Sequence, residues 1–200
     1  MIRFAAPLLL ACALLAGCAA PSGPTASAGG SADSGSFVTS RGSGQIRLDF
    51  DQATELLRQG EYQKGLDVLD RLLRDKEARQ NAAIQVNRGI AYARLGKQEQ
   101  AEEAFKAALA IEPGHPVANN EYGMVLRRAG RFAEARAAYE KALDSYPGFL
   151  PARRNLGILC DLYLGDKECA MTQYQAYAAA VPEDKAVATW IADLQQKMNK

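Results

Sequence analysis

Hydrophobic and polar positions fall into four regimes along the chain. Residues 4–15 are an almost unbroken apolar run, preceded by one basic side chain, Arg3. Residues 19–45 are rich in Gly, Ser, Ala, Thr and Pro and carry almost no large apolar side chain. From Ile46 onward, small, aromatic and polar residues recur with a period near 34, each period reading as two helices joined by a turn. After Pro182, Ala186, Val187, Trp190, Ile191, Leu194 and Met198 fall on one helical face, with Asp184 placed as the N-cap.

The recurrence is positional. Gly89, Gly123 and Gly157 stand 34 residues apart. Phe105, Tyr139 and Tyr174 follow at spacings of 34 and 35, as do Pro113, Pro147 and Pro182. Ala101, Ala135 and Ala170 hold a small-residue position between glycine and aromatic, and Ala108 and Ala142 a second one. Gly96 and Gly130 mark the turn between the two helices. A chain with this pattern resembles the tetratricopeptide repeat family, whose unit is a helix-turn-helix of 34 residues. The resemblance implies an all-α fold, a right-handed α-solenoid of about four repeats over residues 46–80, 82–115, 116–149 and 150–183, followed by a capping helix over 184–200.

Packing gives the pattern its cause. The first helix of a copy brings a glycine and the second an alanine to a shared face, so their axes approach closely, and the aromatic is expected to fill the space toward the next copy. The proline ends the second helix, because its ring cannot continue the hydrogen-bond ladder and restricts the residue before it. The earliest copy is degenerate: Leu56, Gly60, Tyr62 and Leu69 match, but Ala53 replaces the glycine and Glu77 stands at the proline position. In the last copy Gly165 arrives one residue late, so the linker between its helices holds an extra residue, and Tyr177 stands where alanine is usual.

The first regime has a second resemblance. Leu15-Ala16-Gly17-Cys18 closes the apolar run and resembles the bacterial lipobox, after a stretch too short for a membrane span of ~20 residues. The resemblance implies removal of residues 1–17 and acylation of Cys18 on its sulfur and freed amine, several chains anchoring stably where one does not. Ala19 after the cysteine, rather than Asp, implies the periplasmic side of the outer membrane in a Gram-negative cell. Residues 18–45 are then a lipidated, disordered tether, because such a composition cannot bury enough surface to offset its ordering entropy. Its reach as a flexible chain is about 30 Å.

Composition mostly excludes. The single histidine, His115, rules out any centre built from two imidazoles, and it sits in the loop Pro113-Gly114-His115-Pro116. Net charge is +1, and removing residues 1–17, whose one charge is Arg3, leaves 23 basic and 23 acidic side chains, unlike a nucleic-acid binder. Gly96-Lys97 superficially suggests a phosphate loop, but Gln98 stands where Ser or Thr is needed and no strand precedes it, so a turn is the better reading. The paired acids Glu102-Glu103 read as a solvated helix face. No catalytic residue, metal or cofactor is expected, and the chain does not read as an enzyme. Cys160 and Cys169 fall late in one helix and early in the next, adjacent across a short turn. In an exported chain they are expected to form a disulfide, the alternative being a pair of buried free thiols.

In the family, set positions of each first helix line a concave groove. Carried to this sequence, Asn87, Asn120 and Asn155 would form an amide ladder for an extended peptide backbone, and Arg94, Arg127, Arg128 and Arg154 a basic stretch suited to carboxylates. Val117, Glu121, Pro151 and Asn155 stand where the carboxylate-clamp chaperone adaptors carry basic residues, which argues against a chaperone-tail ligand. The resemblance to repeat lipoproteins of pilus and secretion systems implies a scaffold that binds other envelope proteins. The alternative is an adaptor for peptidoglycan hydrolases or proteases, and the remote one an enzyme with an atypical site. Nothing in the residues sets the oligomeric state.

Overall fold

The computed structural model describes residues 41–199. The expected signal segment, Cys18 and most of the expected tether lie outside the described residues. Among the described residues all regular structure is helical: α1 (Arg41–Arg58), α2 (Tyr62–Leu72), α3 (Ala82–Arg94), α4 (Gln98–Ile111), α5 (Pro116–Arg128), α6 (Phe132–Ser145), α7 (Leu150–Leu159), α8 (Lys167–Ala180) and α9 (Lys185–Met198). Each odd-numbered helix up to α7 pairs with the next to make a hairpin, and each hairpin packs on its successor, giving the expected α-solenoid. Helices α3, α5 and α7 begin at the expected starts of their repeats. The first helix begins earlier than the boundary drawn at Ile46, at Arg41. Residues 41–45, Arg-Gly-Ser-Gly-Gln, offer no apolar side chain ahead of the buried Ile46, which is why hydrophobic periodicity missed the added turn.

Sequence chemistry accounts for the ends. Pro113, Pro147 and Pro182 each stand two residues beyond the last residue of α4, α6 and α8. The first junction lacks that proline and is longer. Asp75 Oδ1 accepts from the Glu77 and Ala78 amides there, a 3₁₀ turn covers Ala78–Gln80, and Asn81 caps α3 by accepting from the Ala83 amide at 2.9 Å. Gly96 and Gly130 sit at the turns with φ of +76°, a region open to glycine without strain. His115 is more than a loop residue: its Nδ1 accepts from the Ala118 amide at 3.3 Å and caps α5. Asp184 caps α9 as expected, accepting from the Ala186 and Val187 amides.

The close approach inside each hairpin differs from the expected glycine-on-alanine contact. Gly89, Gly123 and Gly157 lie under the aromatic ring of their own copy. A Cβ at Gly123 would stand 2.6 Å from Tyr139 Cε1, and the equivalents at Gly89 and Gly157 would stand 2.5 Å and 2.6 Å from Phe105 and Tyr174. Each ring therefore lies on the glycine of its own hairpin and also reaches the unit that follows, as Tyr174 does on Trp190 at 5.4 Å, and Phe105, Tyr139 and Tyr174 are buried to 1 % exposure or less. Alanine is still essential as a small partner, since Ala101, Ala135 and Ala170 are fully buried. The first hairpin exchanges the pair: Ala53 is on α1 and Gly65 on α2, with Leu57 and Leu69 in place of a ring.

The extra residue of the last copy is absorbed as a π turn, Cys160–Leu164, ending at Gly165 with φ +65°. Cys160 and Cys169 form a disulfide across this turn, Cα–Cα 5.9 Å. Asp166 lies between them and accepts from the Cys169 amide at 3.0 Å. These three side chains fall within 4.8 Å of one another as potential metal ligands, but the sulfurs are bonded together and Asp166 is already engaged, so they form a stapled cap. Helix α9 covers the last hairpin with Val187, Trp190, Ile191 and Leu194, while Ala186 and Met198, expected on that face, are exposed because the helix ends frame rather than enter the contact.

One ion pair bridges each junction between repeats: Asp70–Arg88 at 2.7 Å, Glu102–Arg131 at 2.8 Å and Arg136–Asp166 at 2.9 Å. The middle one is the most elaborate. Lys106 and Arg131 hold Glu102 at a pKa of about 2, against its partial burial. A depressed carboxylate pKa stabilises the fold fully above the ordinary value of 4.5 and loses that contribution as pH falls through about 2. Glu102→Gln is therefore expected to lower stability at neutral pH by about 1 kcal/mol and to converge on the parent in strong acid, measured by urea unfolding across pH. Gly123→Ala tests the ring contact. An exposed helical Gly→Ala change stabilises by about 0.5–1 kcal/mol, whereas forcing a methyl under a buried ring costs about 1–3 kcal/mol. The expected result is a net loss of stability in thermal unfolding.

Candidate functional site: the inner helix face

First helices of successive repeats touch one another, α1 on α3, α3 on α5 and α5 on α7, whereas second helices show no comparable contact. The first helices therefore line the inner face of the stack. Arg94 and Arg128 are exposed there, and Asn87, Arg127, Arg154 and Asn155 are half-buried.

The three asparagines behave differently from a free amide ladder. Asn87 Nδ2 donates to the Ala83 carbonyl of its own helix at 2.9 Å. Asn155 Nδ2 donates to Asn120 Oδ1 at 2.9 Å, and Asn120 Nδ2 donates to Glu121 Oε1 at 3.0 Å. Asn120 is only 2 % exposed, so it is a strut between α5 and α7 and not a contact residue. Close lateral packing of the first helices is the reason, since it closes the space the ladder would have opened into. Asn119, which periodicity did not single out, is 1 % exposed and ties the preceding loop by donating to the carbonyls of Pro113 and His115.

The arginines are arranged more pointedly. Arg94, Arg127, Arg128 and Arg154 make no salt bridge among the described residues, in contrast to Arg88, Arg131 and Arg136 at the junctions. The Arg127 guanidinium lies 5.5 Å from the Tyr163 ring centroid, and the Arg154 guanidinium 5.1 Å from that of Trp190. Tyr163 in turn packs on Phe132 at 4.9 Å, and Trp190 on Tyr174 at 5.4 Å. The Nε atoms of both arginines are buried without a hydrogen-bond partner. The π turn also displays Leu162, 68 % exposed, beside Tyr163.

A pattern across copies links this face to the core. Position twelve of the first helix holds Ala93, Arg127 and Asp161, and the ring facing it from the second helix is Phe105, Tyr139 and Tyr174. Where the ring is phenylalanine the facing residue is apolar, and where it carries a hydroxyl the facing residue is charged. Tyr174 donates to Asp161 Oδ2 at 3.4 Å, and burial, with Asp161 beside it, pushes its pKa upward. Burial raises the Tyr139 phenol to about 12, with Arg127 pulling the other way. Glu121 is likewise raised by burial, opposed by the Asn120 donor and by Arg94 and Arg128.

The family model described as tetratricopeptide repeat matches residues 50–116, 99–149 and 121–185, more than half of the chain. The chain belongs to the tetratricopeptide repeat family. Tetratricopeptide repeat protein 16 of Homo sapiens is 34 % identical over 96 residues, 48 % of this chain and 11 % of that protein. The chain thus spans about a tenth of the length of the curated relatives it matches. Among solved structures, pilF of Pseudomonas aeruginosa is similar with a TM-score of 0.69 at 20 % identity, covering 77 % of this chain and 69 % of that one. MamA from Desulfovibrio magneticus RS-1 is similar with a TM-score of 0.66 at 21 % identity, covering 77 % and 85 %. At these identities the likeness shows the fold. The coarse function follows from the family: a scaffold for protein–protein interaction.

The strut is directly testable. Asn120→Ala leaves Asn155 and Glu121 without their partner in a closed seam and is expected to cost about 1–3 kcal/mol in denaturant unfolding, whereas Asn87→Ala removes a single bond within one helix and is expected to cost less.

Proposed function

We propose that the chain is a lipid-anchored scaffold on the periplasmic side of the outer membrane, binding other envelope proteins on its inner helix face and helping to assemble a pilus- or secretion-type complex. The observation that carries the reading is the inner face itself: four arginines that make no salt bridge among the described residues, on first helices that touch one another. The anchor rests on Leu15-Ala16-Gly17-Cys18 and the polar stretch that follows. Among the described residues no helix is long and apolar enough to cross a membrane. A pilF structure among those of like fold supports the envelope setting, and the resemblance to repeat lipoproteins supports the pilus or secretion class. Catalysis forms no part of the reading.

The experiment places a photo-cross-linking residue at Arg128 on the inner face, or at the exposed Arg71 of α2, in cells expressing the full chain with or without Cys18→Ala. Cross-links to discrete envelope proteins at Arg128 and not at Arg71, from a membrane fraction that Cys18→Ala empties, are the expected result. Equal cross-linking at both positions overturns the inner-face reading, and unchanged membrane association of Cys18→Ala overturns the anchor.

A further inference from the structure

We propose that one edge of the stack, where first helices end and second helices begin, rests on the surface of an anionic phospholipid bilayer, with Leu162, Tyr163 and Leu164 inserted into its interfacial layer. The proposal takes the nearness of a bilayer from the anchor reading above and adds which part of the folded chain touches it.

The first observation is where apolar side chains are exposed. Among the described residues seven large hydrophobic side chains are exposed, and five of them, Leu95, Leu162, Tyr163, Leu164 and Met198, stand at this edge. Leu95 closes α3, and residues 162–164 belong to the π turn between α7 and α8. Lys167 Nζ donates to the Lys197 carbonyl at 2.8 Å, which brings the end of α9, and Met198 with it, to the same edge. The other two are elsewhere, Leu48 within α1 and Tyr146 at the far end of α6. Single exposed apolar side chains are ordinary, whereas a cluster on one edge marks a contact surface.

The second observation is how the turn is presented. The Cys160–Cys169 disulfide closes it, Tyr163 packs on Phe132 at 4.9 Å, and the Arg127 guanidinium lies 5.5 Å from the Tyr163 ring centroid. The turn is held in place, yet Leu162 at its tip is 68 % exposed. A protruding apolar tip suits a fluid surface, which needs no matching pocket. Tyrosine between two leucines suits the headgroup boundary, where one end of the ring is dry and the other wet.

The third observation is charge. Arg94, Lys97, Arg128, Lys167 and Lys197 stand at the same helix ends and make no salt bridge among the described residues. The carboxylates there are mostly engaged: Glu134 with Arg131, Asp166 with Arg136, and Asp161 with the Tyr174 hydroxyl. Glu99 and Glu168 alone of those in the first turns of α4, α6 and α8 lack such a partner. Apolar insertion ringed by excess cations is the chemistry of attachment to an anionic lipid surface. Length permits it. The first helix enters from the opposite edge, and its 18 residues span about 27 Å. As the tether expected from their composition, residues 18–40 would reach about 26 Å.

The test uses the full chain reconstituted into vesicles by detergent removal, with tryptophan as a depth probe. Leu162→Trp and Tyr146→Trp place it at the two edges, and the parent spectrum, which carries Trp190, is subtracted. The vesicles contain brominated phosphatidylcholine, alone or mixed with brominated phosphatidylglycerol, and bromine quenches a tryptophan that enters the acyl region. The expected result is a blue shift and quenching at position 162 and neither at position 146, stronger with phosphatidylglycerol and weaker as NaCl is raised. Lys97→Gln and Lys197→Gln are each expected to lower the docked-to-free ratio, read from the quenching at 162, about fivefold. Arg71→Gln, on the last turn of α2, is expected to leave it unchanged. Circular dichroism melting confirms that each variant folds, and Leu164→Trp replaces Leu162→Trp should that variant unfold. No quenching at 162, equal quenching at 162 and 146, or indifference to phosphatidylglycerol overturns the proposal. A blue shift at 162 that grows with protein concentration and is not quenched by bromine also overturns it, since a second copy then covers the turn. Flotation with the vesicles separates the two readings. If Cys18→Ala abolishes flotation while the parent shows no quenching at 162, the anchor stands and the docked edge falls. If Cys18→Ala floats unchanged while 162 is quenched, the docked edge stands and the anchor falls.

Discussion

Because Gly89, Gly123 and Gly157 carry no Cβ, the rings of Phe105, Tyr139 and Tyr174 rest directly on the backbone of the facing helix. That contact sets the separation of the two helices in three hairpins. An alanine on the second helix, fully buried in each case, completes the close approach. The hairpin separation in turn fixes how far the first helices stand from one another when copies stack, and so whether they form a continuous inner face. The first hairpin reaches the same end with the small residues exchanged, Ala53 on one helix and Gly65 on the other. One glycine and one small side chain per hairpin is therefore the constraint, and the helix that supplies the glycine is free to vary.

The rings also connect the core to the surface. A tyrosine used for packing carries a hydroxyl to the inner edge of the hairpin, and the residue it meets there is Arg127 in one copy and Asp161 in the next. The arginine is then held by a second aromatic from the following unit. Core packing and presentation of the inner-face cations are parts of one arrangement. The junctions are organised differently, with one carboxylate–cation pair at each fixing the register of neighbouring copies. The disulfide acts at the last hairpin, where an inserted residue would otherwise loosen the turn that carries Tyr163.

Periodicity made the fold legible, since glycine, aromatic and proline positions recur for direct steric reasons, and the ends of α4, α6 and α8 fall where proline put them. The pairing of Cys160 with Cys169 was legible, because antiparallel helices with a short turn bring such positions together. That each ring lies on the glycine of its own copy was not legible, because the 34-residue spacing is the same whether a side chain packs within its copy or against the next. The candidate site was legible in its arginines and not in its asparagines. Asn120 became a buried strut because α5 and α7 approach closely, a property of helix separation that no single position encodes. The stacking of Arg127 on Tyr163 depends on the π turn, whose only trace in the sequence is the late arrival of Gly165.

A double-mutant cycle on Gly123 and Tyr139, read by denaturant unfolding, tests the steric constraint most directly. If the ring lying on bare backbone sets the hairpin, the cost of Gly123→Ala measured in the parent disappears or reverses in a Tyr139→Leu background, giving a coupling of about 1 kcal/mol or more. The same cost in both backgrounds would contradict it.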